Sequence, residues 1–184
     1  AQESRGLGDV YKRQENEWWE ARQIDWELTE LSENTALMNY VRDLNKLYRN
    51  EPALYELDFD PEGFEWINNI SANECIVAFA RKASDGSELI VVANFTPVER
   101  DKYKIGVPAM GKYKEIFNSD NGKYGGLGVV NTRAKNAVHA ECDNRENSLK
   151  MKLPAYGVTV FSCTPEKKVS SVKRVGKKVK ISRK

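Results

Sequence analysis

Cys75-Ile76-Val77-Ala78-Phe79-Ala80-Arg81, then Asp85-Gly86, then Glu88-Leu89-Ile90-Val91-Val92-Ala93-Asn94-Phe95 is the stretch that decides the fold. Two runs rich in β-branched and aromatic residues flank a turn dipeptide. Asp-Gly between such runs signals a hairpin, because glycine accepts the positive φ that a tight turn requires. The pattern continues on both sides. Upstream, Phe64-Glu65-Trp66-Ile67 opens another strand. Downstream, residues 102–107 and 112–117 alternate polar with apolar and are separated by Pro108 and Gly111. Further strands are expected near 137–141, 148–153 and 156–163, after a Gly- and Asn-rich loop over 118–136. Short strands at close spacing, with no helix between them, imply a mainly β, antiparallel sandwich over residues 61–165.

One helix precedes it. Leu37, Val41, Leu44 and Tyr48 fall at i, i+4, i+7 and i+11, with Tyr40 and Leu47 widening the stripe, so residues 34–50 are expected to be an amphipathic helix. Asn34 or Thr35 is placed to cap its start, and Pro52 to prevent continuation. Burying such side chains contributes about 1.5–3 kcal/mol each. The stripe is therefore expected to lie against the β-domain or to drive self-association.

The 184 residues suffice for one ordinary domain with appendages, and 40% hydrophobic with 30% charged content is that of a globular protein. No apolar run approaches the ~20 residues of a membrane helix, and the polar, Gly-rich opening lacks the apolar centre of a secretion signal. Cys75, Cys142 and Cys163 form no CxxC pair, so they are expected as buried free thiols in a cytoplasmic protein, with no metal or other cofactor. The formal charge of +2 hides an asymmetry: residues 166–184 carry nine Lys/Arg against Glu166, which leaves the remainder acidic. Any case for nucleic-acid binding rests on that tail, which lacks interleaved aromatics and is expected to be mobile. At the other end, Asp9-Val10-Tyr11-Lys12-Arg13-Gln14 is what GAT GTG TAT AAG AGA CAG encodes, and resembles a transposon end used in sequencing-library preparation. Residues 1–14 are therefore set aside as a hypothetical adapter translation, an idea that matching genomic sequence across the junction would remove.

Glu17-Trp18-Trp19-Glu20-Ala21-Arg22-Gln23-Ile24-Asp25-Trp26 is charged like a loop yet holds three tryptophans. Indoles among carboxylates and an arginine suit a saccharide that stacks on a ring while charged groups take its hydroxyls. Trp18, Trp19, Arg22, Asp25 and Trp26 are accordingly the candidate substrate-binding residues. The competing reading has Asp25 bonding Arg22 and the indoles, Trp26 above all, wedging the loop onto its neighbours. Elsewhere, Trp66 is expected to face the core, Tyr103, Tyr113 and Tyr124 offer phenols for a secondary polysaccharide site, and His139 has no partner at metal-binding spacing. Gly122, Gly125, Gly126 and Gly128 make no phosphate loop.

Glu17-Trp18 with Arg22, Ile24-Asp25-Trp26, Val41-Arg42-Asp43-Leu44-Asn45, Glu56-Leu57-Asp58-Phe59-Asp60-Pro61, Gly63-Phe64-Glu65-Trp66, Val92-Ala93-Asn94-Phe95-Thr96-Pro97-Val98 and Leu153-Pro154 with Val160-Phe161 together resemble the C-terminal part of bacterial 1,4-α-glucan branching enzymes, in the α-amylase superfamily. The resemblance runs from residue 15 to about 165. It implies that 15–60 are the last loop and helix of a truncated (β/α)₈ barrel and 61–165 an all-β C-terminal domain. It implies α-glucan (glycogen or amylose) as substrate, and the missing N-terminal barrel as intramolecular partner. The loop of Trp18 and Trp26 then approaches the catalytic face, at the C-terminal ends of the barrel strands. Such enzymes retain configuration through two carboxyl groups; no Asp or Glu here matches those motifs, so no catalytic residue is assigned and the chain alone is expected to be inactive. A related amylase-superfamily glycosidase or a free-standing glucan-binding module are the alternatives.

Overall fold

A computed structural model describes residues 26–68 and 73–166. After a 3-10 turn at Trp26–Glu30 comes helix α1 (Ser32–Asn50), then nine strands: β1 (Phe64–Asn68), β2 (Ile76–Lys82), β3 (Glu88–Asn94), β4 (Arg100–Val107), β5 (Gly111–Asn118), β6 (Lys135–Asn136), β7 (Val138–Cys142), β8 (Arg145–Leu153) and β9 (Val158–Pro165). One sheet has the order β1-β2-β3-β9-β5-β6 and the other β4-β8-β7, with every pairing antiparallel. This is the expected sandwich. Ile76, Ala78 and Ala80 of β2, Ile90 and Val92 of β3 and Phe161 of β9 meet Ile105, Val107, Leu149, Met151 and Leu153 of the smaller sheet in one buried cluster.

The large sheet is covered on both faces. Leu89, Val91, Phe117 and Val160, the alternate residues of its strands, form a second cluster against which Tyr40, Leu44 and Leu47 of α1 pack. That explains a departure from strict alternation: Leu89-Ile90-Val91-Val92-Ala93 is apolar throughout because both sides of β3 are buried. The layers are helix, six strands, three strands.

Several local expectations change. The helix starts at Ser32 after Leu31, which provides no side-chain cap. Asn34 and Thr35 instead reach backwards, Nδ2 to the Leu28 carbonyl at 2.8 Å and Oγ1 to the Thr29 carbonyl at 2.6 Å, fastening the 3-10 turn to the helix. Of the four-residue stripe only Leu44 packs on the sheet; Leu37, Val41 and Tyr48 are exposed, and the covered row is Tyr40, Leu44 and Leu47. The loop over 118–136 holds a 3-10 turn at Gly122–Tyr124 and ends in β6. Asp120 organises it by accepting Leu127 N–H at 2.9 Å and Val129 N–H at 2.8 Å, while Glu115 takes Asn131 Nδ2 at 2.7 Å. Gly126 is pressed against the Asp120 backbone so closely that a Cβ there would sit 2.3 Å from it. Trp66 points to the outer face and is 51% exposed, not core-facing. Cys75 is exposed rather than buried, with Cys142 and Cys163 intermediate, and none forms a disulfide. Among the described residues no helix is long and apolar enough to cross a membrane. Residues 1–14 and nearly all of the basic tail lie outside the described residues.

Candidate functional site

Trp18, Trp19, Arg22 and Asp25 fall outside the described residues. Trp26 begins the first 3-10 turn, where its carbonyl accepts the Thr29 hydroxyl at 2.6 Å and its indole is 64% exposed. It is an open ring at the approach to α1, and no buried cluster includes it.

Beyond Trp26 the helix presents an open surface. Leu37, Met38 and Val41 are 59%, 52% and 49% exposed, and with Arg42, Asn45, Lys46 and Arg49 they line a shallow groove of about 610 Å³ along α1. Three neighbouring apolar side chains left in water on one helix face mark a surface suited to a partner. The groove is apolar along its floor and cationic along its flank.

The opposite flank of the same helix is closed. Tyr40, Phe117 and Tyr124 form a ring triad with centroids 5.3–5.8 Å apart. Beside it, Asp43 accepts Lys123 Nζ at 2.7 Å and the Tyr124 hydroxyl at 2.9 Å, while Lys46 stands 3.8 Å away. Those donors, Lys123 first, hold the Asp43 carboxyl below the usual aspartate range. Burial pushes the Tyr124 phenol up. The structure therefore places Tyr124 in a latch and not on a free surface. Tyr113 is wholly buried with its hydroxyl on the Ala109 carbonyl, and the Tyr103 hydroxyl donates to Glu74 at 2.7 Å. The secondary polysaccharide site expected at these three phenols is not formed.

The segment between helix and sandwich is tied down residue by residue. Asp58 takes Arg81 Nη2 at 2.7 Å, and Glu56 takes the Ser84 amide and hydroxyl. Asp60 caps the turn at Pro61–Gly63, and Gly63 lies so close to Leu57 that no Cβ fits. Asn94, buried, donates to the carbonyls of Val98 and Pro154 and accepts from the amide and hydroxyl of Thr96, locking the β3–β4 turn to the end of β8. At the sandwich rim Glu65 is bound by Lys82 at 2.5 Å and by Arg145, and the Lys82 bond holds its carboxyl low; Glu88 nearby is pushed up by burial. These carboxylates are committed to the fold. Among the described residues no three His, Cys, Asp or Glu side chains group as metal ligands, and His139 sits exposed on β7.

The outer face at the sheet edge carries a feature that sequence patterning does not reveal. Phe64 and Trp66 of β1 lie opposite Arg81 and Phe79 of β2. Phe64 and Phe79 stack at 5.2 Å, and Trp66 meets both edge-on at 4.9 and 6.0 Å. The parity of Phe64 and Trp66 is legible in the sequence, but which side the helix leaves open is not.

Comparison with known proteins places these features in a family. Residues 66–164 match the model of the α-amylase C-terminal all-β domain. A 1,4-α-glucan branching enzyme of Prochlorococcus marinus (strain MIT 9301) is 43% identical over 155 residues, which cover 84% of this chain and 21% of that protein. One of Rubrobacter xylanophilus is 45% identical over 149 residues, 80% of this chain and 20% of the relative. One of Oceanobacillus iheyensis is 40% identical over 152 residues, 82% and 24%. The chain thus spans about a fifth of the length of the curated relatives it matches. Among solved structures, an α-amylase from H. orenii superposes with a TM-score of 0.43 at 22% identity, over 76% of this chain and 22% of that one.

Proposed function

The chain belongs to the family of α-amylase C-terminal all-β domains, and on that premise we propose that it is the closing portion of a 1,4-α-glucan branching enzyme. One observation carries the reading: the identity to proteins of that name extends over 155 residues, more than the stretch 66–164 can hold, so it takes in sequence beyond the all-β domain. In this reading residues 15–60 end the catalytic barrel, and the open groove of Leu37, Met38 and Val41 is the face that the barrel covers. The parent enzyme cuts an α-1,4 bond and passes the segment to a 6-hydroxyl. Retention needs a nucleophilic carboxylate and a second carboxyl acting as acid and then base. The reading assigns both to the part of the enzyme outside these residues, and predicts that the chain alone makes no branches. Trp18, Trp19, Arg22, Asp25 and Trp26 would touch glucan from the last barrel loop, in a cytoplasmic enzyme that needs no cofactor.

The test is a chimera joining this chain, from Glu15, to the N-terminal four fifths of the Rubrobacter relative. The expected result is new α-1,6 anomeric signals in proton NMR from an amylose substrate, with none from the chain alone. Release of reducing sugar without 1,6 linkages would replace the reading with an amylase-type hydrolase. Branching by the isolated chain would end it.

A further inference from the structure

We propose that the Phe64–Trp66–Phe79 row is a glucan-holding platform, on which one glucose unit of an α-1,4 chain lies flat against the open indole face of Trp66. This rests on the reading that the parent enzyme handles α-glucan. Four observations carry it. First, the indole is half exposed although large aromatic surface is costly to leave in water. Second, it is held without freedom to collapse, since both phenylalanines meet it edge-on and are themselves stacked. A ring fixed in this way loses little entropy on binding.

Third, the row runs into polar chemistry. Arg81, opposite Phe64 on the same face, is committed to the carbonyls of Ala53 and Leu54 and to Asp58. It thereby holds beside the row a half-exposed carboxylate with acceptor capacity for sugar hydroxyls. An aliphatic C–H face for the indole and hydroxyls for the carboxylate are what a glucose unit presents. Fourth, the scale excludes a stable protein partner on this row alone: one half-open indole and two partly covered phenyl rings fall far short of the ~800 Å² that each side of such an interface buries.

The experiment is affinity electrophoresis of the 184-residue chain through gels containing glycogen, with dextran, an α-1,6 glucan, as comparison. Wild type is expected to be retarded by glycogen. Trp66→Ala should lower the apparent affinity about tenfold, roughly the loss of one aromatic stacking contact. Trp66→Phe should keep part of it, and Leu127→Ala, on the exposed loop tip, all of it. Melting curves of both Trp66 variants verify that they fold. Equal retardation of wild type and Trp66→Ala overturns the platform, as does wild type with no retardation. The same pair is then made in the branching chimera. If Trp66→Ala matters in the chain but not in the chimera, the row is covered in the assembled enzyme and the platform is wrong. A chimera that fails to branch while Trp66→Ala still loses glycogen overturns only the functional reading.

Discussion

The two flanks of α1 are built from one sequence stretch and have opposite fates. On one, Tyr40, Leu44 and Leu47 are pressed on the sheet and Asp43 is gripped by Lys123 and Tyr124. On the other, Leu37, Met38 and Val41 stand in water beside Arg42, Lys46 and Arg49. Hydrophobicity alone does not separate them. The closed flank differs by its aromatic ring, which interlocks with Phe117 and Tyr124, and by a carboxylate with two donors. The helix is thus an adhesive with two sides: one set by shape and hydrogen bonds against the sandwich, the other left apolar for a further surface.

Variants can break or sharpen that contrast. The largest effect lies beneath both flanks: Phe161→Ala, which empties the sandwich centre, should cost about 3–5 kcal/mol in denaturant unfolding. Asn94→Ala leaves the carbonyls of Val98 and Pro154 without their donor and should cost about 2–3 kcal/mol by the same measurement. Tyr40→Ala attacks only the closed flank. About 2 kcal/mol is expected, with faster amide exchange confined to α1, because the sandwich keeps its own core. If α1 and the sheet loosen equally, the flank is not a separable junction. On the open flank, Val41→Asp should alter the stability of the chain by less than about 0.5 kcal/mol, yet lower the yield of soluble, active chimera. A clear destabilisation of the isolated chain would mean that this flank already has a partner.

Acidification offers the mildest probe. Asp43 titrates below its ordinary range in the folded chain, so its contribution is present above the unfolded pKa and is lost as pH falls through the lower folded value. From about pH 5 down to about 2, exchange protection of α1 should decline more steeply in wild type than in Asp43→Asn. Parallel curves would remove Asp43 as the titrating group.

Much of the fold is legible because strands announce themselves locally. The hairpin at Asp85-Gly86 forms in register Lys82↔Glu88, with Gly86 at φ 82°. The motif residues Asp43, Glu56, Asp58, Asn94 and Pro154 turn out to fasten segments far apart in sequence. Helix periodicity locates α1 but not its contact face, since an apolar arc wider than one stripe leaves the rotation to be set by Asp43 and the Tyr40 triad. Trp66 defeats the pattern for a related reason: alternation gives parity, and only the third layer decides which parity is inside. The tryptophan loop stays beyond reach, with only Trp26 of its five candidate residues among those described.

The strand order has a consequence for how the chain is made. β9, late in synthesis, sits between β3 and β5 in the middle of the large sheet. Until residues 158–165 emerge, the β1–β3 hairpins and β5 face each other with unpaired backbone, two sticky margins waiting for one ribbon. The domain therefore cannot mature progressively on the ribosome. A nascent polypeptide halted before Val158 should be a client for chaperones and proteases, whatever the quality of the rest.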